Sequence, residues 1–135
     1  MHLLAKRADT TDVMKRNIAV VDDDYRILES LESLLESVGH VVHLFSSGED
    51  FLESGVLLEI DCLISDVSMP GVDGFGLLRS ARLDRPDLPV ILITGREELM
   101  SAELPSDATP RKFFRKPFHG KKLLAAVSAV LLESR

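Results

Sequence analysis

The stretch Asp61-Cys62-Leu63-Ile64-Ser65-Asp66-Val67-Ser68-Met69-Pro70-Gly71-Val72-Asp73-Gly74 decides the fold. In it a short apolar run stops at a single carboxylate, Asp66, and turn residues follow at once. An apolar run of this length between turn signals reads as a strand buried on both faces. Strands buried in that way belong to parallel sheets covered by helices on either side. Open sheets of that kind bind ligands outside the carboxyl ends of their strands, which is where the reading puts Asp66.

Outward from Asp66 the same pattern recurs. Asn17 to Val21 is a short apolar strand ending in Asp22-Asp23-Asp24. From Tyr25 to Val38, Ile27, Leu28, Leu31, Leu34, Leu35 and Val38 recur at helical spacing, with glutamates and serines opposite and Gly39 as the stop. His40 to Phe45 reads as a strand, and Ser46-Ser47 can cap a short helix through about Ser54. Gly74 to Leu83 reads as a helix and Pro89 to Thr94 as a second buried strand, ending in a hydroxyl. Arg96 to Leu104 is expected to form a short or irregular helix that Pro105 ends or kinks. Arg111 to Arg115 reads as a fifth strand, Lys116-Pro117-Phe118 as a turn, and His119 to Leu132 as a last helix. Strands alternating with helices imply βαβ crossovers, hence an α/β fold with a five-stranded, doubly wound parallel sheet. Residues 1–15 read as a loosely ordered tail, in which Met14 is a second candidate start, and residues 16–135 as one domain.

The bulk composition sets limits on function. A chain of 135 residues, 45% apolar and 28% charged, is of ordinary globular character. Its net charge of −6 argues against direct binding to nucleic acid or a membrane surface, since phosphates are bound through excess Lys and Arg. Cys62 stands alone, so neither an internal disulfide nor a thiolate metal cluster is available. It reads as a small buried hydrophobe. The start lacks a signal peptide's layout, and no uncharged apolar run approaches the length of a membrane span. A cytoplasmic protein is expected.

The strand ends together deliver Asp22, Asp23 and Asp24, then Asp66, then Thr94, then Lys116. Carboxylates alone would repel, each pair by about 4 kcal/mol at about 4 Å and an effective dielectric near 20. A cation is therefore expected among them. Carboxylates and water suit Mg²⁺, and a carboxylate can attack phosphorus to give an aspartyl phosphate. Such a transfer needs charge neutralisation and donors around the phosphoryl oxygens, roles that Mg²⁺, Lys116 and Thr94 fit.

At this point the sequence resembles the receiver domain of two-component response regulators, and the turn after Asp66 looks most like the FixJ kind. The family's acidic pair, acceptor Asp, Thr or Ser, and Lys-Pro are matched by Asp22-Asp23, Asp66, Thr94 and Lys116-Pro117, at similar separations. The resemblance implies a flavodoxin-like sheet of order 2-1-3-4-5. It implies that Asp66 is the phosphoacceptor, supplied by a phosphohistidine on a sensor histidine kinase or phosphotransfer protein. Asp23 and Asp66, with the Ser68 backbone carbonyl, would hold Mg²⁺ directly, and Asp22 through a bound water. Thr94 and Lys116 would contact the phosphoryl oxygens, and the Lys116-Pro117 bond would be cis. Thr94 and Phe113 would act as the switch that changes what the domain binds, its partner being a downstream protein target or an output domain. No separate substrate turnover is expected, so the chain reads as a regulator and not as an enzyme.

Two features depart from the family pattern. Ala108-Thr109-Pro110 replaces the usual small-residue turn before the fifth strand, and Pro105 interrupts the segment preceding it. The last helix carries Leu123, Leu124, Ala125, Ala126, Val127, Ala129, Val130, Leu131 and Leu132, an apolar surface on most sides, which suggests a homodimer or partner face. The chain reads as a stand-alone regulator or a piece of a longer one. Two rival readings remain: a pseudo-receiver that is never phosphorylated, and a small phosphohydrolase using the Asp22-Asp23-Asp24 run. Against the second, Arg26 stands where that motif wants Thr or Val.

Overall fold

Successive side chains of a strand point to opposite faces, and in this chain both faces are apolar. The computed structural model describes residues 15–95 and 108–133. Within them, β1 (Asn17–Val21), β2 (Val41–Phe45), β3 (Cys62–Asp66), β4 (Val90–Thr94) and β5 (Lys112–Arg115) form one parallel sheet in the order β2-β1-β3-β4-β5. Four α-helices accompany the strands among the described residues: α1 (Tyr25–Glu36), α2 (Gly48–Ser54), α3 (Gly74–Asp84) and α4 (Gly120–Glu133). A 3-10 turn, Val56–Leu58, lies between α2 and β3.

Strand residues divide cleanly between two cores. Ala19, Val21, Leu63, Val90 and Leu92 pack with Phe51 of α2 and Leu77, Leu78 and Ala81 of α3. Ile18, Val20, Cys62, Ile64, Ile91 and Ile93 pack with Leu28, Leu31 and Leu35 of α1 and Leu123, Val127 and Val130 of α4. Central strands therefore needed uninterrupted apolar runs, and β3 and β4 are buried throughout. The edge strand β2 is only half covered, with Val41 exposed.

Helix starts follow the sequence signals. Asp24, Ser47 and Asp73 have extended backbones, and their side chains accept from the amides of Arg26, Asp50 and Gly76 respectively, satisfying donors that a helix start leaves orphaned. The end of α1 departs from the expected stripe. Gly39 takes a positive φ of 96°, its amide donates to the Glu36 carbonyl, and the His40 amide donates to the Leu35 carbonyl. That pair of bonds reverses the chain and leaves Val38 half exposed, off the apolar face.

The last helix is also more one-sided than its composition suggests. Leu123, Val127, Val130 and Leu131 are buried, whereas Lys121, Lys122, Ala125 and Leu132 face solvent. No helix among the described residues is long and apolar enough to cross a membrane. The expectations for residues 1–14 and for a helix between Arg96 and Leu104 fall outside the described residues.

Candidate functional site

Parallel register sets the strand ends level. Val21 lies opposite Ser65 and Phe45, Asp66 opposite Ile93, and Thr94 opposite Arg115. The residues that follow β1 and β5, and those that end β3 and β4, are thereby gathered at one rim. From β1 the chain turns to β2 on one side, and from β2 it crosses back to β3 on the other. Asp22, Asp23 and Asp66 thus sit at the point where the winding reverses, the ligand-binding crevice of such sheets.

Asp22, Asp23 and Asp66 each offer a carboxylate oxygen, and these three atoms lie within 4.8 Å of one another. Asp22 and Asp66 are buried, 2% and 5% exposed, whereas Asp23 is open to solvent. The Lys116 ammonium joins the buried pair, 2.9 Å from Asp22 Oδ2 and 3.0 Å from Asp66 Oδ1. The other Asp22 oxygen, Oδ1, accepts from the Asp24 amide at 2.9 Å. Lys116 is placed by β5 and the following turn: its amide donates to the Thr94 carbonyl at 2.7 Å, and its bond to Pro117 is cis. Thr94 is fully buried at the end of β4.

Burial pushes both buried carboxyls above the ordinary carboxylate value. For Asp22 the Asp24 amide and Lys116 oppose that rise without cancelling it. For Asp66 the Lys116 ammonium opposes it, while the charges of Asp22 and Asp23 add to it. Burial pulls the Lys116 ammonium down, but its hydrogen bonds to Asp22 and Asp66 outweigh this and hold it above the ordinary lysine value. Three carboxylates facing one ammonium leave two negative charges when all are ionised. That surplus, on oxygen donors with one side open to water, fits a small divalent cation.

Asp24 is separated from this group, although the sequence places it in the same acidic run. Its carboxylate caps α1 and pairs with the Arg26 guanidinium at 3.2 Å, which holds its carboxyl below the ordinary value. Ser68 is exposed in the turn after β3. Phe113 on β5 is half buried and meets the Phe75 ring edge-on, centroids 6.4 Å apart. Cys62 is fully buried, and its thiol is pushed up to about 12 by burial, as befits a core residue without chemistry.

One constraint escaped the sequence reading. A Cβ on Gly74 would lie 2.5 Å from the Asp66 carbonyl oxygen and 2.8 Å from Val67 Cα. The start of α3 therefore closes directly onto the backbone of Asp66, and the Gly74 amide donates to the Val67 carbonyl at 2.9 Å. The signal available was a glycine just after a capping Asp73, a position where nothing in the helix itself demands glycine.

A parallel sheet of order 2-1-3-4-5 with an acidic pocket at its switch point, a buried hydroxyl and a lysine followed by cis-proline defines a receiver-type domain. The family model for the response regulator receiver domain matches residues 18–128, and the chain belongs to that family. It is 32% identical over 120 residues to the transcriptional regulatory protein FixJ of Bradyrhizobium diazoefficiens, covering 89% of this chain and 58% of that protein. The chain thus spans a little over half the length of that relative. Among solved structures, a response regulator receiver domain from Clostridium thermocellum superposes with a TM-score of 0.79 at 30% identity, covering 87% of this chain and 94% of that one. The BeF3-activated DrrB receiver domain also gives 0.79, at 34% identity, covering 88% and 99%.

Proposed function

We propose that Asp66 accepts a phosphoryl group from a phosphohistidine on a sensor kinase or phosphotransfer protein in a Mg²⁺-dependent step. The observation that carries this reading is the buried Asp66 carboxylate, 3.0 Å from the Lys116 ammonium and in reach of Asp22 and Asp23 after β1. One Asp66 oxygen forms the new bond to phosphorus as the P–N bond breaks, and the electron pair leaves with the imidazole nitrogen. Asp22, Asp23 and Asp66, with the Ser68 carbonyl, would hold the metal, which when bound neutralises charge on the phosphoryl oxygens. Lys116 balances the remaining charge, and the Thr94 hydroxyl donates to a phosphoryl oxygen.

Thr94 and Phe113 then form the switch. With Thr94 drawn to the phosphoryl group, Phe113 leaves its contact with Phe75 and turns inward, which changes the surface that a downstream partner reads. Domain limits at 16–135 and an intracellular setting complete the proposal. The phosphohydrolase reading gains nothing from the geometry, since Asp24 is spent on capping α1 and pairing Arg26. The test is intact-protein mass after incubation with acetyl phosphate and Mg²⁺. A phosphoryl adduct on wild type and none on Asp66→Ala is expected. An adduct on both proteins, or on neither, overturns the assignment.

A further inference from the structure

The turn that leaves Asp66 is tied at its two ends to the sheet and to its own helix. The Val67 amide donates to the Ile93 carbonyl at 2.9 Å, and the Gly74 amide donates to the Val67 carbonyl. Residues 68–73 form the loop between these ties. On its far side the loop meets the first turn of α2, an element 23 residues away in sequence. Glu49 Oε2 accepts from the Val72 amide at 3.1 Å. Gly48 lies so close to Val72 that a Cβ there would sit 3.0 Å from the Val72 carbonyl oxygen and 3.1 Å from its Cβ. Gly71, with φ of 75°, presents its backbone to the same carboxylate, leaving Glu49 Oε2 where a side chain would begin.

From this contact we infer that Glu49 is a positioning residue for the metal and phosphoryl site. It acts through the loop that carries Ser68. The inference rests on the proposed function, since it matters only if the Ser68 carbonyl serves the metal. Glu49 lies outside the cluster of Asp22, Asp23 and Asp66 and bonds to the loop instead. Its effect is to select, together with the burial of Met69 and the packing of Val72 against the core, the conformation in which the backbone between Asp66 and Gly74 is already arranged. Without it, the turn is held only by Met69 and Val72 against the core, and affinity falls by the fraction of time the turn is misplaced.

A simpler role for Glu49 is available and must be separated from this one. Glu49 and Asp50 are acids in the first turn of α2, whose N-terminus favours negative charge. The two roles make opposite demands on conservative variants. Glu49→Gln removes the charge but keeps an acceptor at full reach. Glu49→Asp keeps the charge but is one methylene too short to hold the Val72 amide. A charge role is preserved by Asp and lost with Gln; the loop role is preserved by Gln and lost with Asp.

The experiment measures the Mg²⁺ dissociation constant by calorimetry, and hydrogen exchange at the Val72 amide without Mg²⁺, in wild type, Glu49→Gln, Glu49→Asp and Glu49→Ala. Glu49→Ala and Glu49→Asp are expected to weaken Mg²⁺ by about three- to tenfold, what one net hydrogen bond can transmit, and to speed Val72 exchange. Glu49→Gln should stay within about twofold of wild type. Gly71→Ala supplies a second arm, because its new Cβ collides with Glu49. Its loss of Mg²⁺ affinity should be smaller in the Glu49→Ala background than in wild type. Unchanged affinity and exchange in Glu49→Ala, or a Gln variant weaker than the Asp variant, overturns the inference. Wild type that binds no Mg²⁺ overturns the proposed function instead, and the exchange measurement still reports on the Glu49 contact.

Discussion

Asp22 and Asp66 are carboxylates that burial works to neutralise and Lys116 works to keep ionised, and burial is the stronger influence on both. A carboxyl whose folded value is raised binds its proton more readily in the folded state. Without metal, the contribution of these two carboxyls to stability is therefore fully present below the ordinary carboxylate value near 4 and is lost as pH rises through the raised values. Asp22→Asn and Asp66→Asn should each raise the Mg²⁺-free melting temperature at neutral pH, on the order of a few degrees. The gain should vanish near pH 4, as scanning calorimetry at the two pH values would show. At Gly74 the conflict is steric. Gly74→Ala drives a Cβ into the Asp66 carbonyl, an overpacking cost of about 1–3 kcal/mol, measurable as a lower urea midpoint. The acids, Thr94 and Lys116 were legible because each closes a recognisable strand. The demand on Gly74 was not, since it arises from an approach between two backbones that no local pattern encodes.

Among the elements, the central strands were the easiest to read, because burial on both faces requires apolar runs with polar residues at either end. The start of α2 was legible through Ser47, whereas Asp24 and Asp73 showed themselves as the caps of α1 and α3 only in the structure. The edge strand β2 was harder, and its fixing depends on contacts across the chain. The Val41 amide donates to the Arg16 carbonyl at 2.9 Å, and the Arg16 amide donates to His40 Nδ1 at 3.1 Å. Such a bond needs an unprotonated Nδ1. Burial, reinforced by the Arg16 charge and opposed by Asp61, holds His40 below the ordinary histidine value. Its contribution is thus complete above the unfolded value near 6.5 and is lost as pH falls through the lower folded value. Between pH 7.5 and pH 5.5, wild type should lose more of its urea midpoint than His40→Gln does. Equal losses would remove His40 from the anchoring of β2. The tie from Arg85 to the Leu57 and Ile60 carbonyls, 2.8 and 3.1 Å, was equally invisible in sequence. A guanidinium reaching 25 and 28 residues back leaves no periodic trace.

For the molecule as a whole, the sheet gathers charge that the folded chain does not fully balance, and a ligand that balances it stabilises the entire domain. Three carboxylate oxygens within 4.8 Å exist only when β1 and β3 are paired, so Mg²⁺, bound as proposed, would bind the folded state and not the unfolded chain. Linkage then adds about 1.4 kcal/mol to unfolding at a free Mg²⁺ concentration ten times the dissociation constant. The same stabilisation should be removed by EDTA and largely absent in Asp66→Asn. It should also depend on pH in a direction opposite to that of the metal-free contribution of Asp22 and Asp66. Mg²⁺ requires ionised carboxylates, and burial raises those of Asp22 and Asp66, so protons compete from a higher pH than at ordinary acids. The increment from Mg²⁺ should therefore be full at neutral pH and shrink as pH falls toward the ordinary carboxylate value. Melting curves with and without Mg²⁺ across that range provide the measurement. An increment that stays constant down to pH 4, or survives Asp66→Asn intact, would place the metal elsewhere on the molecule.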